Sequence, residues 1–166
     1  MQWWLDAKFG LFIHWGLYSL LAGEYKGRKT NNIAEWIMHD FQIPPQEYAQ
    51  IAEQFDPQQF DAEAIVRLAK KAGMGYIVIT SKHHEGFAMY DSAASDYTIV
   101  KSTPFRRDPI RELAQACQRE GIRLGFYYSQ AQDWYDENGY EQDADNEAKN
   151  FRKYLDEKCK PQLREL

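Results

Sequence analysis

The chain has 166 residues, of which 44% are apolar and 15% are Trp, Tyr or Phe, enough for one domain with a real core and too aromatic for a disordered segment. With a formal net charge of -5 and no basic cluster that stands out beyond Arg106-Arg107, nucleic acid and anionic membranes are excluded as expected partners. No apolar run approaches the roughly 20 residues of a membrane span, and Met1-Gln2-Trp3-Trp4-Leu5-Asp6 lacks the basic start and apolar core of a signal peptide, so a cytoplasmic location is the default expectation.

The first strand is expected over Lys8-Phe9-Gly10-Leu11-Phe12-Ile13-His14-Trp15-Gly16. It is apolar almost throughout, as suits a strand covered on both faces. His14 and Trp15 come at its end; a histidine satisfied inside the core is the plain alternative for His14. Residues 17 to 43 look irregular, rich in the turn formers Gly23, Gly27, Asn31 and Asn32. Within them Ile33 to Met38 predicts a short helix, with Glu35 beside Trp36. A carboxylate next to an indole can hydrogen-bond and stack together; an exposed Glu beside a buried Trp is the alternative. Pro44-Pro45 starts the next helix, because proline suits the first helical turn, and Tyr48, Ile51, Ala52 and Phe55 form its apolar face. Asp61 is the expected N-cap of a further helix. Its face reads Ile65, Leu68, Ala69 and Ala72, and Gly73 stops it.

The second strand, Tyr76 to Thr80, runs into Thr80-Ser81-Lys82-His83-His84-Glu85-Gly86-Phe87. Two adjacent histidines, a lysine and a glutamate thus lie where a strand gives way to a loop. Ligands bind at that end in folds built from parallel strands, although a polar loop capping a strand reads the same way locally. Residues 85 to 107 show few core signals. Asp108-Pro109 predicts a cap and first helical position, Ile110, Leu113, Ala114 and Cys117 a helix face, and Gly121 its end. Ile122 to Tyr128 is the third strand, followed by the loop Ser129 to Trp134 and a turn at Asn138-Gly139. Ala148, Phe151, Tyr154 and Leu155 mark a last helix that Pro161 is expected to interrupt. Cys117 and Cys159 lie on predicted helices without metal or redox spacing, as reduced core thiols do.

Strand, helices, strand, helix, strand, helix is the alternation of a parallel α/β sheet. Each strand ends in polar or aromatic residues: His14-Trp15, then His83-His84, then Tyr127-Tyr128 with Asp133-Trp134. That repetition places three groups of side chains on one rim, as a (β/α)8 barrel builds its active site. The expected fold is therefore a partial (β/α)8 TIM-type barrel, with about three of the eight βα units.

Several separated segments carry a resemblance. They are Ala7-Lys8-Phe9-Gly10-Leu11-Phe12-Ile13-His14-Trp15-Gly16, Ala34-Glu35-Trp36 and Lys82-His83-His84-Glu85-Gly86-Phe87. Asp96-Tyr97, Thr103-Pro104-Phe105-Arg106-Arg107-Asp108, Phe126-Tyr127-Tyr128-Ser129 and Asp133-Trp134 follow in the same order. Together they resemble the N-terminal part of the catalytic domain of α-L-fucosidases, the family 29 glycoside hydrolases, from about Trp3 onward. Glu85 departs mildly from the family, where Asp is more usual after the histidine pair. The resemblance implies a fucose pocket lined by His14, Glu35, Trp36, His83, His84 and Tyr127, no metal and no cofactor, with L-fucose or a fucosylated oligosaccharide as the ligand. It also implies a retaining mechanism with two carboxylates. The family nucleophile and acid/base are expected beyond Leu166, so no catalytic residue is assignable. Glu35, Glu85, Asp91 and Asp133 lie near the rim, but none matches the nucleophile.

Residues 1–166 would then be the N-terminal portion of a catalytic domain, with an open sheet edge and an uncovered apolar face. Self-association into a homo-oligomer, or pairing with a complementary fragment, is the expected consequence. Two other readings stand beside the fucosidase. One is a metal-dependent hydrolase using His14, His83, His84 and a carboxylate, against which stands the opposite direction of adjacent strand residues. The other is a non-catalytic module that binds fucose or only associates with itself.

Overall fold

The apolar run Leu11–Ile13 forms β1, a small antiparallel hairpin of β2 (Glu24–Tyr25) and β3 (Arg28–Lys29) follows, and the longer runs Tyr76–Lys82 and Arg123–Tyr128 form β4 and β5. The computed structural model describes residues 2–141 and 144–166; Met1, at the head of the leading segment, lies outside them. β1, β4 and β5 make a parallel sheet in the order β1-β4-β5, giving a mixed α/β architecture. Leu11 pairs with Ile77 and Ile77 with Leu124, while Phe12, Val78 and Gly125 are in register on the opposite face.

Side chains alternate between faces along a strand, and here the two faces differ. Ile77 and Ile79 are fully buried in a core with Val66 and Ala69 of the helix Ala62–Lys71 and Ile110 and Leu113 of the helix Pro109–Glu120. The other face is open: Phe12 is 53% exposed and Val78 only half-buried. Near its lower end Trp4 lies 4.5 Å from the Tyr76 ring, and Arg123 sits 4.3 Å over Trp3. Among the described residues no helix is long and apolar enough to cross a membrane.

Helix boundaries follow the capping chemistry. The Asp61 carboxylate accepts from the Ala64 N–H at 2.9 Å, and Asp108 accepts from the Arg111 N–H at 2.8 Å with Pro109 in the first turn. Each satisfies an amide that the helix leaves unpaired. Gly73 (φ +81°) and Gly121 (φ +71°) follow the two helices in the left-handed region that favours glycine.

Several expectations need correction. The first strand is shorter than its apolar run. Lys8 turns the chain at φ +48° after the helix Gln2–Ala7, and beyond Ile13 the Thr80 hydroxyl accepts from Trp15 N–H and donates to Trp15 C=O, replacing the ladder. Residues 17 to 43 are more ordered than expected: they hold the helix Tyr18–Leu21, and the short helix expected over Ile33 to Met38 is present as a 3-10 turn Ala34–Trp36 running into the helix Ile37–Asp40. Leu68 is 68% exposed, because the helix buries Ala62, Val66 and Ala69 instead. In the next helix Ala116 is buried and Ala114 exposed.

The segment 85 to 107 is the largest departure. Phe87, Ala88, Met89, Tyr97, Ile99 and Phe105 are all buried. The loop folds onto the sheet end through Met89 N–H to Ser81 O (2.9 Å) and Ile99 N–H to Ala88 O (2.8 Å). Apart from the single helical turn Ile99–Ser102 the backbone here is irregular and has no period of 2 or 3.6, so its burial leaves no pattern. Pro161 does not break the last helix. The chain runs from Phe151–Tyr154 through a π-turn, Leu155–Cys159, into Lys160–Glu165, and the Lys160 N–H reaches the Leu155 carbonyl. The wider turn accommodates a residue with no N–H to give.

Phe87→Ala is expected to lower folding stability by about 3–5 kcal/mol, whereas Leu68→Ala changes it by less than about 0.5 kcal/mol. Urea unfolding followed by circular dichroism checks both; equal losses would refute this assignment of the core.

Candidate functional site

The ends of the three parallel strands meet over the open side of the sheet. His14 follows β1, His83 and His84 follow β4, and Tyr127 lies near the end of β5. The His14 and His83 rings are 4.8 Å apart, and the Tyr127 ring stacks 5.7 Å from His83 and lies 6.3 Å from His14. His83 and His84 are themselves 4.1 Å apart. Alternation does not separate them, because β4 ends at Lys82 and both lie beyond it.

The segment after the hairpin completes the group. Glu35 Oε1 lies 3.7 Å from His14 Nε2, and the Trp36 indole meets His84 edge-on at 5.4 Å. All six residues singled out by the resemblance thus form one cluster. Further residues join it, of which only Trp134 was expected on the rim. Phe12, one turn of the pleat before His14, stacks 6.0 Å from it and lies 6.2 Å from Tyr127 as an exposed aromatic wall. The alternation of β1 could have found it. Trp134 packs 5.3 Å from both Trp36 and His84. Tyr18 places its hydroxyl 2.7 Å from His14 Nδ1, and Ser129 places its own 2.7 Å from His84 Nδ1. No local pattern marks these two.

Burial holds the histidine pair neutral. It pushes the His83 imidazole down to about 2, helped by His84, His14 and Lys82, and the His84 imidazole down to about 4, helped by Lys82 and His14. A charged imidazole loses its hydration there and gains no counter-charge. Both rings therefore keep one donor and one acceptor each.

The rim carboxylates divide. Glu35 is half-buried and faces His14. Glu85 is fully buried below the rim; one oxygen accepts from the Leu17 N–H at 3.0 Å and the other from the Tyr48 hydroxyl. Burial raises its carboxyl to about 7 against these two donors. Asp133 is also fully buried. Burial pushes its carboxyl up, but the ammonium groups of Lys82 at 3.0 Å and Lys158 at 2.9 Å outweigh this and hold it below the usual range. Asp91 is exposed, its N–H bonded to Asp108. Glu85 and Asp133 are thus occupied by internal partners. Among the described residues no group of three or more His, Cys, Asp or Glu side chains could hold a metal ion. Neutral imidazoles, one carboxylate and several ring faces make a surface suited to a polyol with an apolar side.

A family model for alpha-L-fucosidase matches residues 1–166. The tissue alpha-L-fucosidase of Rattus norvegicus is 36% identical over 77% of this chain, and the match spans 29% of the rat protein. The alpha-L-fucosidase of Dictyostelium discoideum is 30% identical over 99% of the chain, spanning 38% of that protein. Among solved structures, alpha-L-fucosidase from Vibrio sp. strain EJY3 superposes with a TM-score of 0.94 at 43% identity, over 99% of this chain and 29% of that one. Alpha-L-fucosidase AlfC from Lactobacillus casei, in complex with α-L-fucose product, gives 0.94 at 48% identity, over 99% of this chain and 55% of that one. The chain therefore spans well under half the length of both of these curated relatives.

The buried groups predict opposing pH effects. Between the ordinary imidazole value of 6.5 and about 2, the unfolded chain binds a proton that folded His83 refuses. Stability is therefore lost as pH falls below 6.5, by at most about 1.4 kcal/mol per pH unit. Between 4.5 and about 7 folded Glu85 binds the extra proton, so its contribution falls as pH rises. Thermal unfolding from pH 7.5 to 4.5 should show a shallower acid loss in His83→Gln and a steeper one in Glu85→Gln. Parallel profiles for both variants and the parent would contradict these environments.

Proposed function

The chain belongs to the alpha-L-fucosidase family, and from that premise we propose that residues 1–166 are the N-terminal portion of a (β/α)8 catalytic domain whose pocket binds L-fucose. The parallel sheet, the intervening helices and the uncovered face carrying Phe12 support this placement. The remaining barrel strands, or in their absence a second copy of the chain, would cover that face.

The observation that carries the fucose reading is the convergence of His14, Glu35, Trp36, His83, His84 and Tyr127 on one rim, with His83 and His84 held neutral. Fucose is a 6-deoxy sugar. Its hydroxyls need both donors and acceptors; neutral imidazoles offer both, and Glu35 offers an acceptor. Its methyl group and apolar ring face need aromatic surface, which Trp36, Tyr127 and Phe12 offer. A site that pairs buried hydroxyls strongly rejects sugars that lack them. That AlfC forms a complex with α-L-fucose supports the same ligand here.

Cleavage by retention needs a nucleophile and an acid/base. Glu85 and Asp133 are held in internal bonds, Glu35 faces His14, and the exposed Asp91 does not match the family nucleophile. As the family resemblance implies, we assign the nucleophile and the acid/base to sequence outside these 166 residues. The same observation favours a second reading for the chain by itself, fucose binding without hydrolysis.

Calorimetry with L-fucose and a nitrophenyl-fucoside assay test the proposal together. The expected result is binding that weakens by about tenfold or more in His84→Ala, as for loss of a buried hydrogen bond, without nitrophenol release by the chain alone. A folded chain that does not bind fucose overturns the proposal.

A further inference from the structure

A neutral imidazole carries its proton on one of two nitrogens, and the contact made by one nitrogen decides what the other presents. His84 Nδ1 lies 2.7 Å from Ser129 Oγ, and the Ser129 hydroxyl gives its only proton to the Gln132 carbonyl, also at 2.7 Å. Toward His84 the hydroxyl can therefore only accept. The His84 proton must sit on Nδ1, which leaves Nε2 as a lone pair with no protein partner among the described residues.

His14 is held the other way. Its Nε2 faces Glu35 Oε1 at 3.7 Å, and its Nδ1 lies 2.7 Å from the Tyr18 hydroxyl. A carboxylate only accepts, so a lone pair at Nε2 would face negative charge. The proton belongs on Nε2, and the Tyr18 hydroxyl donates to Nδ1. Tyr18 keeps that proton, because burial and the nearby Glu85 push its ionisation well above the ordinary range.

We propose that Tyr18 and Ser129 are positioning residues that lock His14 and His84 in opposite tautomers, so that the pocket offers a donor at His14 Nε2 beside the Glu35 acceptor and an acceptor at His84 Nε2. A hydroxyl at the first position accepts from His14 while donating to Glu35; a hydroxyl at the second can only donate. The two tautomers thus fix the direction of hydrogen bonding along the sugar edge, and a directed chain of bonds strengthens each member. The tautomer assignment needs no ligand. Its use in reading sugar hydroxyls rests on the fucose reading above.

Long-range proton–nitrogen NMR of the ¹⁵N-labelled protein at pH 8 tests it, with the ring signals assigned through His14→Gln and His84→Gln. Protonated-type nitrogen shifts are expected at His14 Nε2 and His84 Nδ1. Ser129→Ala should move His84 toward the Nε2-protonated form and weaken fucose binding by about tenfold, while Ser129→Thr, which keeps the hydroxyl, should restore both. Tyr18→Phe should leave His84 unchanged. Finding the same tautomer at both histidines, or a His84 that ignores Ser129→Ala in a folded protein, overturns the proposal. Should Ser129→Ala not fold, the parent spectrum decides alone. Opposite tautomers without fucose binding would defeat the sugar reading and leave this assignment standing; fucose binding with other tautomers would do the reverse.

Discussion

The buried carboxylate of Asp133 is the constraint around which the rim is built. One oxygen takes both ammonium groups, from Lys82 on β4 and Lys158 in the π-turn, and the other takes the Asp136 N–H at 3.0 Å. Three segments far apart in sequence are thereby joined at a point buried from solvent. Removing one partner from such a cluster strands a charge, which typically costs about 3–5 kcal/mol. The cluster also dictates its neighbours. A Cβ on Gly86 would stand 2.3 Å from Asp133 Oδ1, and one on Gly139 would stand 2.4 Å from the Asp133 carbonyl oxygen. Gly86 has φ +77° as well, so both space and backbone require glycine directly after the His-His-Glu run. The Trp134 N–H then bonds the His84 carbonyl at 2.7 Å, which ties the β5 loop to the histidine pair.

Glu85 plays the matching part on the other side. It bonds Leu17 and Tyr48 below the rim and so anchors the turn that leads from His14 to Tyr18. Polar residues that read as rim chemistry are therefore a mixture of two layers. The inner layer, Lys82, Glu85 and Asp133, has no exposed surface. The outer layer of imidazoles, Glu35 and aromatic rings carries the proposed fucose pocket. Low dielectric below the rim serves both layers, since it strengthens the ion cluster and keeps His83 and His84 uncharged.

Much of this was legible in the chain. Apolar runs followed by His14, His83-His84 and Tyr127 located the strand ends, and Asp61, Asp108, Gly73 and Gly121 located helix boundaries through local capping. Capping and burial of a strand depend on neighbours in sequence, so the residues themselves reveal them. What escaped depends on contacts across long separations. Phe87, Met89, Tyr97 and Phe105 are core residues on a backbone with no period. Leu68 kept a helical spacing but lies on the solvent side, because the cap at Asp61 does not say which face meets the sheet. Pro161 reads as a helix breaker, and only the π-turn before it shows how the helix continues.

The sequence by itself determined the alternation of strands and helices, which residue types at short, ordered spacings carry, and it supplied the family resemblance that implied the six residues of the cluster. Only the tertiary structure decided which carboxylates are buried supports and which face outward. Identical side chains acquire those roles from desolvation and from partners such as Lys82 and Lys158, 51 and 25 positions from Asp133 in the chain. It decided as well that Tyr18 and Ser129 stand behind His14 and His84. A hydroxyl directs an imidazole only within hydrogen-bonding distance, and that distance is set by the fold.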